Sequence, residues 1–352
     1  MHMADALISP AVGGTMWLVS AGLIAYCARK LKQTIRDNLV PMMGVLGAFI
    51  FAAQMINFSI PGTGSSGHLG GGLILSVLLG PHAAFLVIAS VLMVQALFFA
   101  DGGLLAMGCN IFNLGFFPAF IAYPFIYRLI ARQEHGTPRA WIAAIVAAIA
   151  GLQLGAFSVV VETKASGISE LPFGDFTLLM LPIHLAIGVV EGLATATVVA
   201  FVAKARPEAL DAAPVGAPIA TGLRPVAIGL AITAVIVGGI MSWFASTHPD
   251  GLEWSIAKVT GKEEVSGSDD AVHRKLAAVQ EKTAFLPDYG FRAAGTESAA
   301  AEQVPAENTD AESESWPAVA AGTSVAGIVG GLLTLGLAGL TGLALKARRA
   351  SV

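Results

Sequence analysis

Long apolar runs, rather than an alternation of apolar and polar positions, set the pattern of this chain. They fall at roughly 10–28, 39–57, 68–80, 82–100, 108–130, 139–161, 176–203, 225–245 and 317–345. All but one approach the ~20 residues that a helix needs to cross the hydrocarbon core of a bilayer. The exception, 68–80, is short and rich in glycine, which places part of it within the protein core. The pattern predicts an all-α polytopic membrane protein with nine spans.

Basic residues orient these spans. Arg29, Lys30, Lys32, Arg36, Arg128, Arg132, Arg139, Lys204, Arg206, Arg224, Lys346, Arg348 and Arg349 all fall on one side, and the short loops of the other side hold only Lys164. Because basic loops stay cytoplasmic, the N-terminus is expected outside and the C-terminus inside. No Lys or Arg precedes the first apolar run, which argues against a cleaved secretory signal.

Charge also divides the chain. Residues 1–205 form a seven-span unit, and 206–224 form a cytoplasmic linker rich in Ala and Pro. Residues 225–345 form a two-span unit around an external segment, 246–316, and 346–352 form a basic tail. That segment carries 14 Asp or Glu against six Lys or Arg, and its second half, 293–315, has the Ala, Glu and Ser composition of a disordered linker. The linker suggests two separable units, with the external segment dispensable for folding of the first seven spans. In the last span Gly327, Gly331, Gly336, Gly339 and Gly342 are spaced to let another helix approach closely.

Composition narrows the class. The chain has 55% hydrophobic and 12% charged residues, about half the charge of a soluble domain, and a mean hydropathy of +0.73. No basic stretch suits nucleic acid, and Cys27 and Cys109 lie too far apart for a pair or a zinc site.

The candidate chemistry gathers on the outer side. A bulky residue at position 2 is expected to keep Met1 in place with its α-amino group. That amine, the His2 amide and the His2 imidazole can close two small chelate rings around one ion. Such nitrogen donors suit Ni(II), Co(II) and Cu(II) rather than Mg(II) or Ca(II). His68 sits in Pro61-Gly62-Thr63-Gly64-Ser65-Ser66-Gly67-His68-Leu69-Gly70-Gly71-Gly72, a further imidazole on the same side. These donors bind deprotonated, so affinity is expected to fall as imidazoles protonate near about 6.5. Asn110 and Asn113 share one helix face and, with Asp5, are candidates to orient a ligand histidine. His184 and Glu191, two turns apart in the seventh span, read as structural or supporting, too deep and too far from the terminus to bind metal. His248 and His273 lie in the external segment, with at most a weak metal-capturing role.

Together these stretches resemble the substrate-capture component of cobalt and nickel energy-coupling-factor transporters, the CbiM/NikM family. The matching pieces are Met1-His2-Met3-Ala4-Asp5, Ser66-Gly67-His68-Leu69, Gly108-Cys109-Asn110-Ile111-Phe112-Asn113 and Pro182-Ile183-His184-Leu185 with Gly192. Ala6 stands where the family usually has glycine. Pro249-Asp250-Gly251-Leu252-Glu253 and Leu286-Pro287-Asp288-Tyr289-Gly290 resemble the small PDGLE-type N component of these systems, here fused. The resemblance implies a seven-helix bundle whose external N-terminus plugs inward and wraps the ion. Met1, His2 and His68 would be the ligands, and transported Co(II) or Ni(II) the cargo, with no catalytic cofactor. It also implies a transmembrane coupling subunit (CbiQ/NikQ-like), cytoplasmic ATPases (CbiO/NikO-like) and residence in a bacterial or archaeal cell membrane. No Walker A run is present, so ATP hydrolysis belongs to those partners.

Two other classes compete. One is a metal carrier or channel that works without an ATPase. The other is an intramembrane serine protease, since Gly64-Ser65-Ser66-Gly67 fits a Gly-x-Ser-Gly signature and His184 is a conceivable base.

Overall fold

Ser9 and Pro10 open the first helix. The serine hydroxyl faces the Val12 amide at 3.5 Å, and proline occupies the first helical position, where no amide donor is needed. This computed structural model describes residues 2–35, 39–132, 134, 136–205, 223–263, 265, 267–292 and 317–350.

The first unit comprises α1 (Pro10–Thr34), α2 (Leu39–Gln54), α3 (Gly72–Leu79), α4 (Pro81–Phe98), α5 (Met107–Ala131), α6 (Pro138–Ser166) and α7 (Phe173–Ala205). The second comprises α8 (Leu223–Gly239), α9 (Gly251–Thr260), α10 (Ala271–Thr283) and α11 (Ala321–Ala350). Of these, α1, α4, α5, α6, α7 and α11 are long and apolar enough to cross a membrane, while α2 and α8 are shorter apolar helices. The all-α, polytopic reading holds, with one addition: β1 (Phe58–Ile60) and β2 (Ser65–Gly67) form a small antiparallel hairpin before α3.

The third expected span differs most. Eight residues of helix rise only about 12 Å, less than half of a bilayer core of about 30 Å. Its first part, 68–71, is an irregular loop ending at Gly71, whose φ of +77° admits few residues but glycine. Irregular backbone of this kind is tolerated at depth only inside the protein. In α5, residues Phe112–Tyr127 adopt the wider π form around Pro118 and Pro124, each of which removes an amide donor from the helix.

The second unit packs on the first rather than standing apart. Within the apolar layer α8 and α11 flank α2. A Cβ on Gly327 would lie 2.3 Å from the Gly238 carbonyl oxygen, and one on Gly330 would lie 2.0 Å from the Phe51 ring. Of the glycines expected to admit a neighbour, Gly327, Gly331 and Gly342 do so, whereas Gly336 and Gly339 face open space. The segment between α8 and α11 folds over the first unit through α9, α10 and the turn Pro287–Tyr289. The two units therefore share an apolar contact, with α8 and α11 both packed on α2 of the first unit. The linker 206–222, the stretch 293–316 and the last two residues lie outside the described residues.

Candidate metal centre

The N-terminal segment is held by main-chain contacts before any side chain engages. Met1 lies outside the described residues. The Met3 amide donates to Asn110 Oδ1 at 2.8 Å, and Asn110 Nδ2 donates back to the Met3 carbonyl at 3.2 Å. The Gly103 amide donates to the same carbonyl at 2.9 Å. Asp5 accepts the Ala106 amide at 2.9 Å, and burial raises its pKa above the usual carboxylate range. Asn113 reaches the Met3 sulfur at 3.9 Å and donates to Glu162 at 2.7 Å. Asn110, Asn113 and Asp5 thus position the terminal segment, and among the described residues their hydrogen bonds go to Met3, Ala106 and Glu162 rather than to a histidine ring, contrary to the sequence expectation. Their short polar groups match the unpaired peptide groups of an extended segment.

His68 is placed by a buried polar chain drawn from three helices. Gln95 of α4 donates to Gln54 of α2 at 2.9 Å, and Gln54 donates to the Gly70 carbonyl at 2.9 Å. The Glu191 carboxylate of α7 accepts the Gly70 and Gly71 amides at 2.7 and 3.1 Å. A carboxylate suits these amides, which open α3 and have no partner within the helix. The supporting role expected for Glu191 is thus a clamp on the two residues that follow Leu69.

The His2 and His68 rings then meet with centroids 4.9 Å apart. His68 Nδ1 lies 3.1 Å from the Leu69 carbonyl. His2 Nδ1 lies 2.8 Å from Asp101, and His2 Nε2 is buried without a hydrogen-bond partner.

Both motifs of the second unit reach the site, one beside the His68 ring and the other at Asp101. Asp250 lies 3.9 Å from His68 Nε2, and Tyr289 donates to Asp101 at 2.5 Å. Burial opposes ionisation of Asp101, yet the His2 ring and the Tyr289 hydroxyl hold its pKa at about 2. Asp288 and Tyr289 both adopt left-handed backbone, with φ of 49° and 59°, a strained turn that presents the phenol to the site. The hairpin gives the docking edge: the Ser66 amide donates to the Pro249 carbonyl at 2.8 Å, and Trp254 donates to the Thr63 carbonyl at 3.0 Å. His273 donates toward the Asp5 and Ile8 carbonyls, each at 3.1 Å, while its other nitrogen lies 2.7 Å from Asp270. His273 is a clamp on the terminal turn, not a metal-capturing residue as entertained from sequence.

His184 is nearer the centre than its depth suggested. It lines one small cavity with His68 and Asp250; Nδ1 lies 2.7 Å from the Met180 carbonyl, and Nε2 is buried without a hydrogen-bond partner. The protease reading loses its geometry, because Ser66 Oγ donates to the His248 carbonyl at 2.8 Å rather than to an imidazole. Among the described residues no three His, Cys, Asp or Glu side chains form a complete metal cage.

Sequence reasoning missed Asp101, Asp250 and Tyr289 as members of the site. Asp250 and Tyr289 carried a signal, standing in the two stretches that resemble the N component. Asp101 carried none beyond its place at the mouth of the fifth run.

Comparison with known proteins agrees with this architecture. Residues 2–209 match the CbiM family, described as the cobalt uptake substrate-specific transmembrane region, and residues 224–347 match the PDGLE domain. The fused nickel transport protein NikMN of Rhodobacter capsulatus is 33% identical over 62% of this chain and 66% of its own length. The cobalt transport protein CbiM of Sorangium cellulosum is 28% identical over 60% of this chain and 95% of its own. A crystal structure of a truncated transition metal transporter superposes with a TM-score of 0.52 and 27% identity, covering 58% of this chain and 99% of that one. With more than half of its length in that match and the remainder carrying the second domain, the chain belongs to the CbiM family, joined to a PDGLE domain.

Proposed function

We propose that this protein captures Co(II) or Ni(II) at the outer face of a bacterial or archaeal cell membrane, as the substrate-specific component of an energy-coupling-factor transporter. The observation that carries this reading is the meeting of His2 and His68 beside a terminus pinned by Asn110, Asp5 and His273. Met1, His2 and His68 supply the nitrogen donors. Asp101, Asp250, Glu253 and Asp288 line the groove that leads to them, and their field favours entry of a cation. The His2 nitrogen able to close a small chelate ring with its own amide is Nδ1, so loading exchanges Asp101 for the ion. Residues 1–205 act as the capture unit and 225–345 as an N-component-like unit. A membrane coupling subunit and cytoplasmic ATPases supply the energy, with the C-terminus on their side.

The test moves the terminus. Residues added before Met1 separate the amine from His2 and crowd His68, so they should abolish high-affinity binding, while the same residues after Val352 should be harmless. Equilibrium dialysis of the two proteins with Ni(II) and Co(II) decides it, and equal affinities would remove the terminus from the site. Uptake by cells expressing this chain without any ATPase partner would instead favour a self-sufficient carrier.

A further inference from the structure

We propose that α10 and the stretch after it, as far as Phe291, lie along the lipid surface of the membrane. Val272, Val279, Phe285 and Phe291 are set into the headgroup layer of one leaflet.

The helix cannot cross the bilayer. Its 13 residues rise about 20 Å, short of the ~30 Å of a hydrocarbon core, and they include Arg274, Lys275, Glu281 and Lys282. Its sides have three different surroundings. His273, Leu276 and Gln280 face the protein: His273 reaches the Asp5 and Ile8 carbonyls, and Gln280 donates to the Ala96 and Gly102 carbonyls at 2.9 and 2.8 Å. On one flank Arg274 and Ala277 line the polar groove beside His2 and His68. On the other, Val272 and Val279, two turns apart, are 41% and 47% exposed and turned away from that groove.

The ends of two spans set the level of this helix. His273 ties its start to the residues just before α1, which begins at Pro10. At the far end, a Cβ on Gly322 in the first turn of α11 would lie 3.1 Å from the Phe291 amide nitrogen and 3.4 Å from the Phe291 ring. Both α1 and α11 are long and apolar enough to cross a membrane, and they pack side by side. A segment that bridges the starts of two neighbouring spans lies where the hydrocarbon core gives way to headgroups. The apolar surface also continues beyond it, because Val325, Ile328 and Leu332 of α11 are exposed toward the lipid.

The side chains suit that layer. Phe291 is 61% exposed, and Phe285 is half-exposed although it leans on Phe98 and Phe99 with ring centroids 5.6 and 6.1 Å away. In water, two such rings and two valines would form an apolar patch with nothing to cover it. Lys275 and Lys282 border the valine flank in helix order. Their stems can run along an apolar layer while the ammonium groups meet lipid phosphates. Apolar residues on one side with lysines at the rim are the pattern of helices that sit about 5–10 Å into the boundary between headgroups and acyl chains. The same short piece carries His273 and Tyr289, so the side chains that reach the terminal turn and Asp101 stand beside the surface that meets lipid.

Nitroxide labels on the full chain test this in vesicles of phosphatidylcholine and phosphatidylglycerol. Val279→Cys and Phe291→Cys carry the label on the lipid side, and Ala277→Cys and Glu281→Cys carry it on the groove side. Cys27 and Cys109 are buried, so the added thiol is the reactive one. Oxygen concentrates in hydrocarbon and chromium oxalate stays in water. Collisions with oxygen should therefore dominate at 279 and 291, and collisions with chromium oxalate at 277 and 281. Chromium oxalate dominating at all four positions would overturn the proposal. Low collision rates with both reagents at 279 and 291 would also overturn it, since a protein surface and not lipid would then cover the flank. Should the labelled proteins not fold, hydroxyl-radical footprinting of the unsubstituted protein in the same vesicles asks the same question. Protection of Phe285 and Phe291 supports the lipid contact, and oxidation of both rings overturns it.

Discussion

The second unit touches the first in two places that obey different physics. In the apolar layer, α8 and α11 flank α2 through glycines, with Gly327 against Gly238 and Gly330 against the Phe51 ring. Lipid tails are as apolar as these side chains, so close packing rather than escape from water drives that contact. In the polar layer the contact is specific: Pro249 on Ser66, Asp250 near His68, Tyr289 on Asp101, and His273 on the terminal turn. The difference teaches a division of labour. The apolar helices keep the second unit attached, and the polar segment between them shapes the centre. Substitutions in the two layers should therefore separate stability from affinity.

The largest effect is expected within the centre itself. His68→Ala should lower Ni(II) affinity by more than the roughly 10–100-fold typical of residues that merely support a ligand. It should insert normally, since the position lies in a loop outside the helices. Dialysis together with membrane fractionation checks both halves, and normal affinity would dissolve the contrast between the layers.

In the apolar layer, Gly330→Leu forces a side chain into Phe51. Overpacking of this kind costs about 1–3 kcal/mol. A lower thermal midpoint in detergent with unchanged metal affinity in the surviving folded fraction is the expected result. A loss of affinity matching the loss of stability would show that the layers are not independent.

The His273 clamp adds a pH dependence. Burial acts against its charge, but Asp270 and the Asp5 and Ile8 carbonyls outweigh it and raise its pKa above the usual histidine value. A group whose folded pKa is raised contributes fully below its unfolded value of about 6.5 and loses that contribution as pH rises through the folded value. Hydrogen exchange at residues 3–9 should therefore quicken, beyond the intrinsic rise, on going alkaline. In His273→Ala it should be fast throughout, and identical pH profiles for the two proteins would remove the clamp.

The smallest effect is expected for Tyr289→Phe, which deletes one hydrogen bond to Asp101 and keeps the stack on Phe99. A hydrogen bond to an ionised carboxylate is worth about 1.5–3 kcal/mol to the fold, but Tyr289 reaches the centre only through Asp101, so the change in affinity is expected to be well below that of His68→Ala. Titration calorimetry resolves it; an effect as large as that of His68→Ala would make Tyr289 part of the coordination sphere.

Much of this was legible along the chain. Apolar run length announced the long helices because a bilayer demands about 20 such residues wherever the neighbours lie. His68 stood out because glycine density is a local feature, and His2 because of the donor types beside it in the chain. Run length could not reveal that α3 stops after eight residues, since hydropathy sums over a loop and a short helix alike. Nor could periodicity assign Asn110 to Met3 rather than to a histidine. That choice depends on where an extended segment from more than 100 residues away comes to lie.

What the sequence by itself determined is what depends on neighbours in the chain: the apolar helices, the small residues of α11 and the donor types near its start. What only the tertiary structure decided is convergence. Asp101, Asp250, Tyr289 and His273 are ordinary polar residues until folding carries α9, α10 and the Pro287–Tyr289 turn onto the hairpin and the terminus. Hydrogen bonds act over about 3 Å, and the partners here are separated by 99 to 268 positions. No local pattern encodes such a distance, because it is set by how the membrane helices stack and by the glycines that let them touch.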